Sequence, residues 1–146
     1  MSDALDAALR LVRAQAALVR RFDARLGGLH GVSLADFTLL LRLGQAPGGR
    51  MRRVDLAEAL GLTASGVTRA LVPLERIGLV TREPDARDAR VAYASLTGTG
   101  RDRLKEMLAT AEETAGELFA APAWGEREVP LLADLLTRLG GTGPRA

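Results

Sequence analysis

Thr63, Ser65, Thr68 and Arg69 place short hydroxyls beside a guanidinium within about two helical turns. Short hydroxyls reach phosphates or base edges, and an arginine fork matches O6 and N7 of guanine. Small residues such as these, with Gly66 between them, let a helix sink into a major groove. Arg76 follows further along the same face. A second cluster, Asp85-Ala86-Arg87-Asp88-Ala89-Arg90, alternates acid and base. A simple phosphate-binding loop has no need of aspartate, so one physical account is that an Asp stiffens the segment by pairing with an arginine. Arg82, across the hairpin from the tip, is the expected partner, which leaves another arginine of the cluster, Arg87 or Arg90, to enter a minor groove, where the negative potential attracts it. Taken singly, each cluster also reads as a solvated charged surface.

The remaining composition narrows the chemistry. The chain has 146 residues, no cysteine and one histidine, His30. Disulfides, thiolate metal sites and cysteine nucleophiles are excluded. No carboxylates cluster near His30 at a ligand spacing, so neither a metal nor a cofactor is expected, and His30 reads as a buried or helix-end residue. A glycine-rich phosphate loop and a paired-carboxylate motif are both lacking, so the chain does not read as an enzyme. Hydrophobic residues at 47% and charged residues at 26% give a folded, globular balance. No apolar run approaches the roughly 18–20 residues of a membrane span, and the acidic start Met-Ser-Asp-Ala-Leu-Asp lacks the features of a signal peptide. A cytoplasmic protein without a membrane partner is expected. Net charge is only +2 but uneven: residues 50–103 hold ten arginines against seven acids, and residues 104–140 hold three bases against seven acids. A basic middle and an acidic C-terminal part suggest a division of labour.

Hydrophobic spacing assigns the elements that position these groups. Leu5, Leu9, Val12, Ala16, Val19, Phe22 and Leu26 predict a helix over 3–26, ended by Gly27-Gly28. Ser33 caps a second helix, with Asp36 in its first turn and an apolar stripe running to Gly44. A turn at Pro47-Gly48-Gly49 leads to a short extended stretch, 50–54. Asp55 is expected to cap a short helix that stops at Gly61. Thr63 then caps a helix reaching about Ile77, with Val67, Ala70, Leu71, Leu74 and Ile77 inward and Ser65, Thr68, Arg69, Val72 and Arg76 outward. Pro73 inside that helix removes a hydrogen bond and can kink it. Leu79–Arg82 and Arg90–Leu96 predict a β-hairpin. Thr97 opens a long helix broken by Pro122, and a last helix covers about 126–139. The order helix, tight turn, helix, hairpin over 55–96 is that of a winged helix-turn-helix. The fold class is therefore mainly α with a small β-hairpin: a winged helix-turn-helix plus a helical region.

The chain resembles the MarR family of bacterial regulators over essentially its whole length. The residues that carry the resemblance are Asp55 to Leu62 (DLAEALGL), Val67-Thr68-Arg69, Leu74 to Val80 (LERIGLV), the Asp85–Arg90 segment and Leu96-Thr97. Pro73 departs from the pattern, since family members more often carry a polar residue there. The resemblance implies a single domain over 1–146, with a DNA-binding lobe at 30–97 and helices at 1–29 and 98–140 that interleave in a homodimer. It implies sequence-specific binding to double-stranded DNA as a transcriptional regulator, with Thr68 and Arg69 as recognition-helix contacts, Arg90 as the wing-tip arginine, and Asp88 with Arg82 as the residues that brace the wing; Thr63, Ser65, Arg76 and Arg87 join them from the residue pattern alone. Repression from a pseudo-palindromic operator is the expected mode. It further implies release by a small aromatic or phenolic ligand, for which Arg13, His30 and Phe37 are the candidate residues. A winged-helix module that binds only protein is the alternative, and an enzyme the less supported one.

Overall fold

The computed structural model describes residues 1–140. The described residues divide into two compact units, 1–111 and 112–140. The first unit opens with α1 (Asp3–His30), whose Ser2 cap accepts from Leu5 N at 3.3 Å. Asp3 and Asp6 in the first turn favour the helix dipole. The predicted stop at Gly27-Gly28 is not where the helix ends. It continues to His30 and closes at Gly31, φ 70°. Each interior glycine costs about 1 kcal/mol relative to alanine. Burial of Leu26 at 0% exposure and the contact of His30 Nε2 with Thr110 Oγ1, 2.8 Å, hold the last turns in place.

α2 (Leu34–Gln45) begins with a reciprocal capping box between Ser33 and Asp36, and it buries Phe37, Leu39, Leu40 and Leu43. The extended stretch after the Pro47–Gly49 turn is a true strand, β1 (Arg50–Arg52), which runs directly into α3 (Arg53–Leu60). The expected cap at Asp55 is therefore corrected. Arg52 occupies the cap position without a side-chain bond, and Asp55 sits in the first turn. α3 ends at Gly61, whose φ of 64° a residue with a side chain adopts only at a cost. Next come α4 (Ala64–Arg76), β2 (Val80–Pro84) and β3 (Ala92–Leu96). The hairpin is widened to a three-stranded antiparallel sheet in the order β1-β3-β2. Met51, Ala94 and Arg82 share one row across it, and Arg52, Tyr93 and Glu83 the next.

One core joins these elements: Leu26, Leu40 and Leu43 meet Leu56, Leu71 and Leu74 and the sheet residues Val80, Ala94 and Leu96. α5 (Gly98–Leu118) adds Leu104 and Met107 to it. Thr97 locks the start of α5, donating to Gly78 O at 2.6 Å and accepting from Gly100 N at 2.9 Å. Gly100 is there because a Cβ would lie 2.0 Å from Leu79 O.

The second unit contains the end of α5 and α6 (Glu128–Arg138). α5 stops at Leu118, short of Pro122, and Phe119 and Trp124 pack edge to face across the connection at 4.9 Å. Glu128 Oε2 accepts from Gly125 N at 2.7 Å at the entry to α6. Among the described residues, no helix is long and apolar enough to cross a membrane.

Candidate nucleic-acid interface

α4 is fixed from behind and open in front. Thr63 Oγ1 accepts from Gly66 N at 3.1 Å, satisfying one of the free amides of the first turn. Val67, Leu71 and Leu74 are all at most 1% exposed, while Ser65, Arg69, Val72 and Arg76 are exposed on the other face. Neither Arg69 nor Arg76 has an ion pair among the described residues. Pro73 lies on the exposed side within α4, and the helix is continuous through it. Ile77 corrects the predicted inward face. It is 58% exposed because the helix closes at Arg76 and the chain turns at Ile77, with ψ near 5°.

Thr68 differs from its neighbours. Its hydroxyl donates to Ala64 O at 3.1 Å and accepts from an Nη of Arg53 at 2.7 Å. Arg53 is half-buried at the start of α3. Burial first, and then the charge of Arg82, lowers the pKa of its guanidinium.

The wing is braced by its own backbone. Asp85 Oδ1 accepts from Arg87 N at 2.7 Å and Asp88 N at 3.0 Å. Asp88 Oδ1 accepts from Arg90 N at 3.0 Å and from Arg90 Nε at 3.2 Å. These amide and guanidinium donors hold both carboxyls below the usual aspartate value: for Asp85 mainly the Arg87 and Asp88 amides, for Asp88 mainly the Arg90 side chain. Arg82 is not the partner of Asp88, which corrects the expected brace. The reason is parity: Arg82 shares its row with the buried Ala94 and with Met51, so it stands on the helix-facing side of the sheet.

The outer side of the sheet carries a strut missing from the predicted site. Arg50 lies 4.1 Å over the ring of Tyr93 and pairs with Glu83 at 3.3 Å. Tyr93 shares its row with Arg52, which stands on the same side. The polar-apolar-polar pattern of Arg50, Met51 and Arg52 was the available signal for a strand here.

The three residues expected to meet a small ligand lie in different surroundings. Phe37 is 6% exposed in the core, Arg13 is exposed on α1, and His30 contacts Thr110. None of them lines the cleft of about 300 Å³ in this unit. That cleft lies between Val19 and Asp23 of α1, Leu34 and Thr38 of α2, and Leu60 and Leu62 at the α3–α4 turn. Asp23 Oδ1 already accepts from Leu34 N at 2.7 Å.

Residues 30–91 match the family model of the MarR family. The HTH-type transcriptional regulator YdgJ of Bacillus subtilis is 31% identical over 109 residues, 75% of this chain; the match spans 64% of that relative's length. Sco3205, a MarR family regulator from Streptomyces coelicolor solved in complex with DNA, superposes with a TM-score of 0.85 at 22% identity, covering 95% of this chain and 90% of that one. BpsR of Bordetella bronchiseptica, whose DNA binding is regulated by 6-hydroxynicotinic acid, gives a TM-score of 0.81 at 23% identity, covering 93% and 94%. At those identities the two structures are likenesses of fold. Residues 30–91 thus carry the pattern of the MarR family, and the winged helix with its α1–α6 order is similar to that of the regulators named above.

Proposed function

We propose that the chain is a sequence-specific DNA-binding repressor that acts as a homodimer in the cytoplasm. The observation that carries this is the outer face of α4. A helix held rigidly by Val67, Leu71 and Leu74 presents Ser65, Arg69 and Arg76 to solvent, the two arginines without an ion pair among the described residues, and an arginine-bearing wing follows it. Arg69 suits a guanine edge in the major groove, and Arg87 and Arg90 suit a flanking minor groove. Thr63 and Ser65 at the N-terminal end suit phosphate.

Pairing of two copies is supported by unpartnered apolar stripes. Leu5, Leu9 and Val12 are exposed on α1, and Leu131, Leu135 and Leu139 on α6. Two recognition helices related by a two-fold axis match half-sites about one helical turn apart, and occupancy of such an operator blocks transcription sterically. A small aromatic or phenolic effector fits the apolar cleft beside Leu62, which directly precedes the cap of α4. A ligand there acts only through unequal affinity for two positions of the recognition helix.

The test is binding to the duplex upstream of the chain's own gene, followed by anisotropy across a salt series, with the assembly state measured by ultracentrifugation. A steep loss of affinity with salt and a two-chain mass are expected. Salt-independent or absent binding would favour the protein-only module.

A further inference from the structure

We propose that Arg53 is a binding site for a backbone phosphate of duplex DNA, with Thr68 as its positioning residue rather than a reader of bases. This rests on the DNA-binding reading above and adds a contact that the recognition-helix pattern does not contain.

The argument begins with the Thr68 hydroxyl. Its one proton goes to Ala64 O, and one of its lone pairs takes the Arg53 Nη at 2.7 Å. A hydroxyl has one donor, so Thr68 has none left for a base acceptor. The guanidinium, by contrast, has five N–H donors, and only one is engaged. No carboxylate pairs with Arg53 among the described residues. The sheet register puts Arg82 on the same, helix-facing side, where it too has no ion pair among the described residues. Arg53 and Arg82 repel each other, Glu75 offsets that only in part and forms no ion pair with either among the described residues, and a phosphate relieves the remainder. The direction of the Arg53 pKa agrees, since both burial and Arg82 oppose its charge. A half-buried fork anchored at one end also loses less freedom on binding than a free side chain. The anchoring point is on the exposed face of α4, one turn beyond Ser65, which is where a backbone flanking the major groove would run.

The experiment uses the full chain and the upstream duplex across a salt series, with thermal melts as the folding control. Arg53→Met keeps the aliphatic stem and removes the charge. It should lower the salt slope of log K by about 0.9 for each Arg53, so by about two in a dimer. Arg53→Gln keeps a donor for Thr68 and should lose the slope equally, which holds the test open if the methionine variant does not fold. Arg53→Lys should keep the slope while losing part of the affinity. Thr68→Val should weaken binding without altering base preference, and the double variant should bind no worse than Arg53→Met. An unchanged slope in both charge-removing variants would overturn the site. A changed base preference in Thr68→Val, or additive losses in the double variant, would overturn the role of Thr68. A wild-type chain that binds duplex without salt dependence would instead remove the DNA reading, and this site with it.

Discussion

The recognition helix and the wing both carry exposed arginines, Arg69 and Arg76 on one and Arg87 and Arg90 on the other, but they are held by opposite means. α4 is fixed by burial: Val67, Leu71 and Leu74 are clamped in the core, and the outer residues take their directions from that. The wing has no such backing. Between Asp85 and Arg90 every residue is exposed or half-buried, and its form comes from two aspartates that collect backbone amides. The difference teaches which contact needs which support. Reading a base edge requires a donor placed to a fraction of an ångström, which close packing supplies. Reaching into a minor groove requires charge and local shape, which an exposed turn supplies.

The comparison is broken most severely from behind the helix. Leu74→Ala should cost about 2–5 kcal/mol of stability, because a fully buried leucine leaves a cavity in a closed core. Denaturant unfolding measures it, and a loss no larger than that of a wing variant would mean that α4 is not held by its buried face. Next in size is Arg69→Ala, expected to leave the fold intact and to remove about 1–3 kcal/mol of discrimination between the operator and unrelated duplex. Unchanged operator affinity would remove Arg69 from the reading face.

The two regions also differed in how far they could be read before the structure. α4 was legible because its information is local: a threonine cap, a three- and four-residue apolar spacing, and Gly78 with φ 78° beyond its end. The capping of α2 by Ser33 was legible for the same reason. What escaped depended on pairing between distant segments. β1 is three residues long and is a strand only because β3 lies beside it. Arg82 looked like the partner of Asp88 because the two are close in sequence, yet strand register turns it to the opposite side. The Arg53–Thr68 bond joins two helices across the helix-turn-helix, and no periodicity in either helix announces it. Gly27-Gly28 misled in the other direction: a local stop signal was overridden by packing and by the His30–Thr110 contact.

A smaller effect is expected at the wing tip. The Arg90 side chain is 91% exposed, and its pairing with Asp88 is of the kind that contributes little to stability. Arg90→Ala should therefore leave thermal unfolding unchanged, weaken DNA binding, and lower the salt slope by about 0.9 per arginine without altering preference at central bases. Footprinting should show lost protection at the flanks of the site. Retained flank protection would mean that the wing does not enter the minor groove.

The smallest effect tests how the wing is braced. Asp85 accepts the Arg87 and Asp88 amides, and those bonds hold its carboxyl below the usual value of 3.8. A carboxyl whose folded pKa is depressed contributes its stabilisation fully above the unfolded value and loses it as pH falls through the folded one. The turn should therefore be insensitive to pH near neutrality and should open with a midpoint below 3.8. In an NMR titration, the Arg87 and Asp88 amide shifts should move together with that same midpoint. Asp85→Asn keeps an oxygen to accept both amides, so it should preserve the turn while abolishing its acid-induced change. Asp85→Ala removes the acceptor and should shift both amides at every pH. If the two amides instead moved with a midpoint at or above 3.8 in the wild-type chain, the wing would not be held by this carboxylate, and its contrast with the core-backed helix would lose its physical basis.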